Sequence, residues 1–269
     1  MSSNATRALI FDCDGVLADT ERFGHLPAFN RAFERTGVPI HWTEDDYATL
    51  VLIGGGKERI AAALADANLS QGSERLTLVH TIHKAKTEIY RAMVEAGVMP
   101  PRPGVARLIG SALTAGWKVA VASTSAPESV KSVLDSVVGS ETSSRIPVFA
   151  GDVVPKKKPA PDIYQLALDR LGVTPEQAIV IEDSAVGLRA AVSANLTCVV
   201  TPSSYTLTET FSSAAAVVSS LGDPNEPLKV ISDKYDIGFG DVVTLDSLNR
   251  LLGICHATST TTNNPREHR

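Results

Sequence analysis

The feature that most constrains this chain is a regular alternation, from Gly104 onward, of helix-length segments with short runs that are apolar throughout. Val105, Leu108, Ile109, Ala112 and Leu113 recur at helical spacing behind Pro103, a residue suited to a helix start because it has no N–H to leave unsatisfied. Gly116 ends that segment, and Lys118 to Ala122 follows as a buried strand. Pro127 opens a second helix with Val130, Val133, Leu134 and Val137 on one face, and residues 146–150 form a weaker strand signal. Ile163, Leu166, Ala167 and Leu171 mark a third helix closed by Gly172. Ala178 to Ile181 reads as a strand, Val186 to Ala194 as a helix and Thr197 to Thr201 as a further strand. Strands alternating with helices imply βαβ units, and strands apolar on both faces are covered on both faces. The expected fold is therefore α/β, with a Rossmann-like parallel sheet core that residues 8–11 join by type, and an inserted α-helical domain.

The insertion occupies about residues 20–101, where helical periodicity continues without a buried strand. Ala28, Phe29, Ala32 and Phe33 share one face, as do Ile60, Ala61, Leu64 and Ala65. Met99 to Gly104, with three prolines, reads as the hinge back to the core. The expected organisation is a core of residues 1–19 and 102–225, a helical cap of residues 20–101, a C-terminal extension of residues 226–255 packed on the core, and a disordered Thr-, Asn- and Ser-rich tail of residues 256–269.

Charge narrows the partners. The chain of 269 residues has a formal net charge of −5 and no long basic run, which argues against a nucleic-acid surface. No apolar run reaches the roughly 20 residues that span a bilayer, so no membrane partner is expected. Cys13, Cys198 and Cys255 are widely spaced and suit free thiols in a reducing compartment. The chain is expected to be a cytoplasmic monomer, or plastidic if a transit peptide has been removed.

An acidic chain that handles an anion must place its cations locally. The strongest chemical signal is Phe11-Asp12-Cys13-Asp14-Gly15, an apolar strand running into two acids spaced by two. Two such carboxylates repel, so a cation or a proton must neutralise one of them. Three further strand ends add to this: Ser123-Thr124-Ser125, Lys156-Lys157-Lys158-Pro159 just before a helix, and Glu182-Asp183. Ligands of open α/β sheets collect at the carboxyl ends of strands. Hydroxyls, a lysine and two acidic pairs gathered there supply a nucleophile, a hard-cation site and charge neutralisation, which are the needs of phosphoryl transfer. The oxygen donors suit Mg²⁺, and the sequence has no His/Cys cluster for zinc.

Asp12-x-Asp14-Gly15-Val16, Ser123, Lys158-Pro159 and Glu182-Asp183 resemble, in order and spacing, the four motifs of the haloacid dehalogenase superfamily. The resemblance covers residues 7 to about 222. It implies a phosphohydrolase in which Asp12 attacks phosphorus and Asp14 acts as acid and then base. Ser123 would bind the phosphoryl oxygens and Lys158 would neutralise charge. Mg²⁺ would be held by Asp12, Asp14 (through its main-chain carbonyl), Glu182 and Asp183.

The insertion resembles the small helical cap of the CbbY-like subgroup, through Asp19-Thr20-Glu21, His25, Ala28-Phe29-Asn30, Tyr47, Gly54 to Ile60, Arg102-Pro103-Gly104-Val105, Lys157 to Tyr164 and Thr201 to Thr206. That likeness implies a small sugar (bis)phosphate substrate, xylulose-1,5-bisphosphate above others. Glu21, His25, Lys57, Arg59, Arg102 and Thr124 are the candidate substrate-binding residues, with Lys57, Arg59 and Arg102 as cations for a second phosphate. Leu26-Pro27 departs from the subgroup, which commonly has a basic residue after the histidine. The alternatives are a β-phosphoglucomutase-like mutase, a phosphoglycolate-type phosphatase, or a receiver-type signalling module. The last is disfavoured by Asp14 and by the long insertion.

Overall fold

The computed structural model describes residues 6–53 and 55–262. Its contacts divide the chain into two compact units, Met1–Ala18 with Pro101–Arg269, and Asp19–Pro100.

The first unit is built on a seven-stranded sheet. Its strands are β1 (Ala8–Phe11), β2 (Lys118–Ala122), β3 (Val148–Phe149), β4 (Ala178–Glu182), β5 (Thr197–Val200), β6 (Ala216–Val218) and β7 (Val230–Asp233), in the spatial order β3-β2-β1-β4-β5-β6-β7. All pairings are parallel except β6–β7. β1 and β4 are buried along their whole length, as expected of strands covered on both faces. Register is what positions the site. Phe11 lies opposite Val121 on one side and Ile181 on the other. The residues that follow these three strands therefore leave the sheet side by side at its carboxyl edge.

The second unit begins with a π-helical turn, Glu21–His25, and continues as α1 (Leu26–Arg35), α2 (Glu44–Leu50), α3 (Gly56–Asp66) and α4 (Gly72–Glu95). Phe29, Phe33, Trp42 and Tyr47 pack their rings together, with centroid separations from 4.8 Å for Phe33–Trp42 to 6.5 Å for Phe29–Phe33. Ile60 and Leu64 are fully buried, while Ala61 and Ala65 on the same predicted face are half-buried. Thr43 and Asp46 form a capping box at the start of α2.

The remaining helices of the first unit are α5 (Val105–Thr114), α6 (Pro127–Val138), α7 (Ser140–Ser143), α8 (Asp162–Leu171), α9 (Ala185–Ser193) and α10 (Leu245–Thr262). Val130, Val133, Leu134 and Val137 are all buried, so the face read from their spacing is the one that packs. Two features differ from expectation. β6 and β7 are strands not anticipated, because one is three residues long within a Ser/Ala stretch and the other is an edge strand with Val230 and Ile231 exposed. The stretch from His256 expected to be disordered is helical as far as Thr262. Leu248, Leu251 and Leu252 bury one face of α10, and no proline follows to stop it before that residue. The rest of the expected tail, 263–269, lies outside the described residues.

Candidate active site

Asp12 is the first residue beyond β1, and its N–H donates to Ile181 O of β4 at 3.0 Å. The main chain is thus pinned to the neighbouring strand while the side chain points past the sheet edge. Lys158 Nζ lies 2.7 Å from Asp12 Oδ1 and 2.7 Å from Glu182 Oε1, and donates to Ala122 O at 3.0 Å. The ammonium therefore ties together the ends of β1, β2 and β4. Its side chain is 7% exposed, and that of Glu182 is fully buried.

Glu182 is saturated with donors. Oε1 accepts from Lys158 and from the Tyr164 hydroxyl at 2.6 Å. Oε2 accepts from Asp183 N–H at 3.1 Å and from the Ser184 hydroxyl at 3.3 Å. A carboxylate so held orients the lysine and leaves Asp12 and Asp183 as the more open oxygen donors. Gly187 on α9 makes this possible, since a Cβ there would overlap the Glu182 carboxylate. Gly15 serves Asp183 in the same way: it has φ +76°, and a Cβ would overlap Asp183 Oδ2.

Carboxylate oxygens of Asp12, Glu182 and Asp183 lie within 4.8 Å of one another, all buried. One ammonium cannot balance three carboxylates in a place where each is stripped of water. Burial, aided by the charges of Glu182 and Asp14 and opposed by Lys158, pushes Asp12 up to about 7. Burial, then Glu182 and Asp12, pushes Asp183 well above the ordinary carboxylate range. Burial disfavours the Lys158 ammonium, yet Asp12 and Glu182 outweigh it and hold the pKa above its usual value. Only protons or a cation relieve such a cluster. The all-oxygen donor set fits a hard divalent ion such as Mg²⁺.

The Asp14 carboxylate accepts a short hydrogen bond from the Ser125 hydroxyl. Asp14 is not among the clustered carboxylates. Ser123 is buried beyond β2, and its Oγ accepts from Ser125 N–H at 3.1 Å. Thr124 is exposed. Arg102, expected to bind substrate, instead donates to main-chain carbonyls: Nη1 to Gly15 O and to Thr201 O (2.6 Å), Nη2 to Pro202 O (2.9 Å) and Ser219 O (2.8 Å). This cation, expected to serve a substrate phosphate, thus has both Nη nitrogens engaged by the main chain.

In the helical unit the candidate residues fall into two groups. Arg59 Nη1 donates to the Tyr47 hydroxyl at 2.6 Å and pairs with Glu21 Oε2 at 3.3 Å, while its other nitrogens donate to Ile53 O and Val51 O. His25 stacks on Tyr90 at 4.2 Å, and its Nδ1 lies 2.7 Å from Lys86 Nζ. Lys57 is exposed on α3. Lys86, 9% exposed, with its ammonium 4.9 Å from the ring centres of both Phe29 and Tyr90, was not singled out in the sequence. Nor was the role of Tyr164. In the sequence, a lysine four residues before a tyrosine is an ordinary helical pair, and Tyr164 carries no charge to draw notice.

Fold and site together define a class: an α/β enzyme with a buried carboxylate–lysine centre at the carboxyl edge of a parallel sheet. The sequence matches the haloacid dehalogenase-like hydrolase family over residues 6–195. A CBBY-like protein of Arabidopsis thaliana is 45% identical over 237 residues, covering 86% of this chain and 72% of that one. The crystal structure of CbbY from Rhodobacter sphaeroides in complex with phosphate is 41% identical with a TM-score of 0.67, covering 80% of this chain and 94% of that chain. A mutant form of that protein in complex with xylulose-(1,5)bisphosphate is 40% identical over the same shares, also with a TM-score of 0.67. The chain belongs to the haloacid dehalogenase-like hydrolases, on their CbbY-like branch, and is a phosphatase.

Proposed function

We propose that this phosphatase acts on a small sugar phosphate, with xylulose-1,5-bisphosphate the foremost candidate, through an aspartyl-phosphate on Asp12. The observation that carries this reading is the placement of Asp12 against Lys158 at 2.7 Å, with a second acid two residues on that lies outside the buried triad. The substrate class is supported by the 40% identical CbbY relative, whose complex holds that bisphosphate.

An Asp12 oxygen attacks phosphorus, and the ester bond to the sugar breaks. Asp14 gives its proton to the leaving oxygen. Asp14 then takes a proton from water, whose oxygen attacks phosphorus and displaces Asp12, releasing inorganic phosphate. Lys158 fixes the Asp12 carboxylate and offsets charge gathered from the phosphoryl group, and the Ser123 hydroxyl donates to a phosphoryl oxygen. Asp12 and Asp183, with the Asp14 main-chain carbonyl, would hold Mg²⁺, and Glu182 would orient the site. When bound, Mg²⁺ supplies positive charge beside the phosphoryl oxygens and keeps the carboxylates ionised. Glu21, His25, Lys57 and Arg59 are assigned to substrate recognition. Replacing Lys57 and Arg59 with Ala should then raise KM for a bisphosphate more than for a small monophosphate.

No helix among the described residues is long and apolar enough to cross a membrane. Cys13 and Cys198 are free and buried, which suits a reducing compartment such as cytoplasm or plastid stroma.

Phosphate release from a panel of sugar phosphates, with Mg²⁺ and with chelator, tests the reading. Release from a ketose bisphosphate is expected, and Asp14→Asn should lower turnover by about 10²–10⁴-fold. Isomerised sugar phosphate without phosphate release would indicate a mutase instead. Unchanged turnover in Asp14→Asn would point to a phospho-aspartate used for signalling.

A further inference from the structure

Arg102 makes an unusual set of contacts for a cation in an enzyme of anionic substrates. Its guanidinium reaches the turn after β1 (Gly15 O), the segment after β5 (Thr201 O and Pro202 O) and the segment after β6 (Ser219 O). Its own N–H donates to Leu17 O at 2.9 Å. Two of the segments so tied meet at one carboxylate. Gly15 packs directly on Asp183 Oδ2, and the Ser203 side chain lies against the same spot, 3.0 Å from a Cβ built on Gly15. Ser203, 5% exposed, immediately follows the Pro202 carbonyl that Arg102 holds.

We infer that Arg102 is a positioning residue for Asp183: by clamping the Gly15 turn and the Thr201–Ser203 segment around it, the guanidinium sets the carboxylate's orientation as a divalent-cation donor. The inference rests on the metal reading proposed above. The electrostatics agree with the geometry. Burial, Glu182 and Asp12 drive Asp183 toward its neutral form, whereas the Ser203 hydroxyl and the Arg102 charge oppose them. A lysine could not replace this residue, because an ammonium has three N–H donors on one nitrogen whereas the two Nη atoms of Arg102 reach four carbonyls.

The same unit contains an internal control. Arg107 also spends its guanidinium on carbonyls, Leu221 O (2.9 Å), Gly222 O (2.7 Å) and Val243 O (3.0 Å), and pairs with Asp223 at 3.4 Å. It is a comparable clamp on segments that none of these bonds links to Asp183.

The test is calorimetric titration of the full chain with MgCl₂ and, separately, MnCl₂, for wild type, Arg102→Lys and Arg107→Lys. Arg102→Lys should weaken cation binding by about tenfold or more, as loss of a group orienting a ligand does, while Arg107→Lys leaves it unchanged. KM for a sugar phosphate at saturating Mg²⁺ should be the same in Arg102→Lys as in wild type. If Arg102→Lys does not fold, Ser203→Ala takes its place, with an expected several-fold loss of cation affinity. Wild-type cation affinity in both Arg102→Lys and Ser203→Ala would overturn the inference and leave the phosphatase reading standing. So would a raised KM at saturating Mg²⁺ with cation affinity intact, which would return Arg102 to substrate binding. Absence of divalent-cation binding in the wild type would instead overturn the metal reading, and this inference with it.

Discussion

The Tyr164 hydroxyl donates a 2.6 Å hydrogen bond to Glu182 Oε1, and both side chains are fully buried. The same oxygen accepts from Lys158, whose ammonium also sits 4.9 Å from the centre of the Tyr164 ring. Tyr164 therefore braces the lysine from two sides without touching Asp12 through any of these contacts. Tyr164→Phe keeps the ring and removes the hydroxyl. A lost hydrogen bond to a buried charged group costs about 1.5–3 kcal/mol. Thermal unfolding should fall by roughly 2–4 °C per kcal/mol for a domain of this size. Steady-state kinetics should show a lowered kcat with little change in KM, because Lys158 remains but is less well fixed. An unchanged melting temperature together with an unchanged kcat would remove the bracing role.

Asp12→Asn should have opposite effects on activity and on stability. Without the carboxylate nucleophile, phosphate release should fall by at least about 10³-fold. Without cation at about pH 8, above the Asp12 value of about 7, the substitution removes a buried negative charge clustered with Glu182, so repulsion in the triad drops. The chelator-treated variant should therefore melt above the chelator-treated wild type. A lower melting temperature in chelator would mean that the Lys158–Asp12 ion pair outweighs the repulsion.

Gly187→Ala probes the closeness of α9 to the site. Alanine normally strengthens a helix relative to glycine by up to about 1 kcal/mol. Here the added methyl would overlap Glu182, which is held by four donors and has nowhere to move. Destabilisation and loss of turnover are expected, and a more stable, active variant would contradict the packing described.

Most of the sheet was legible because its strands carry their own signal. β1, β2, β4 and β5 are apolar at nearly every position and are followed by polar residues with chemistry to offer. Asp12, Glu182 and Asp183 could be read for the same reason, since acids at strand ends stand out against apolar runs, and Lys158 stands out as the last of three lysines before a helix. β7 could not be read, because an edge strand with an exposed face lacks the apolar run. The main-chain partners of Arg102 could not be read, because a sequence displays its charge but not the carbonyls around it. Tyr164 and Gly187 were silent in another way: what they contribute is distance to a carboxylate, which depends on how a helix approaches a strand end. The Ser125 contact to Asp14 was hidden by a neighbour, as three consecutive hydroxyl residues follow β2 and only structure separates the exposed Thr124 from the two that bond.

The buried triad makes stability depend on pH in a direction opposite to that of most ion-paired carboxylates. Burial is the main cause that lifts Asp12 from 3.8 to about 7, and Asp183 is raised for the same reason. A carboxyl whose pKa is higher in the folded than in the unfolded chain binds its proton more tightly when folded. Its stabilising contribution is complete below the unfolded pKa and is lost as pH climbs through the folded value. In chelator, then, the wild type should melt higher at about pH 5.5 than at about pH 8, and the slope should be shallower in Asp12→Asn, which lacks one of the two groups. Saturating Mg²⁺ should flatten or reverse the wild-type slope, because the ion favours the ionised carboxylates that protons would otherwise quench. Differential scanning fluorimetry across that range, in chelator and in Mg²⁺, measures these three cases. A wild-type melting temperature in chelator that is flat or rises with pH, and runs parallel to that of Asp12→Asn, would show that Asp12 and Asp183 are ionised without a cation.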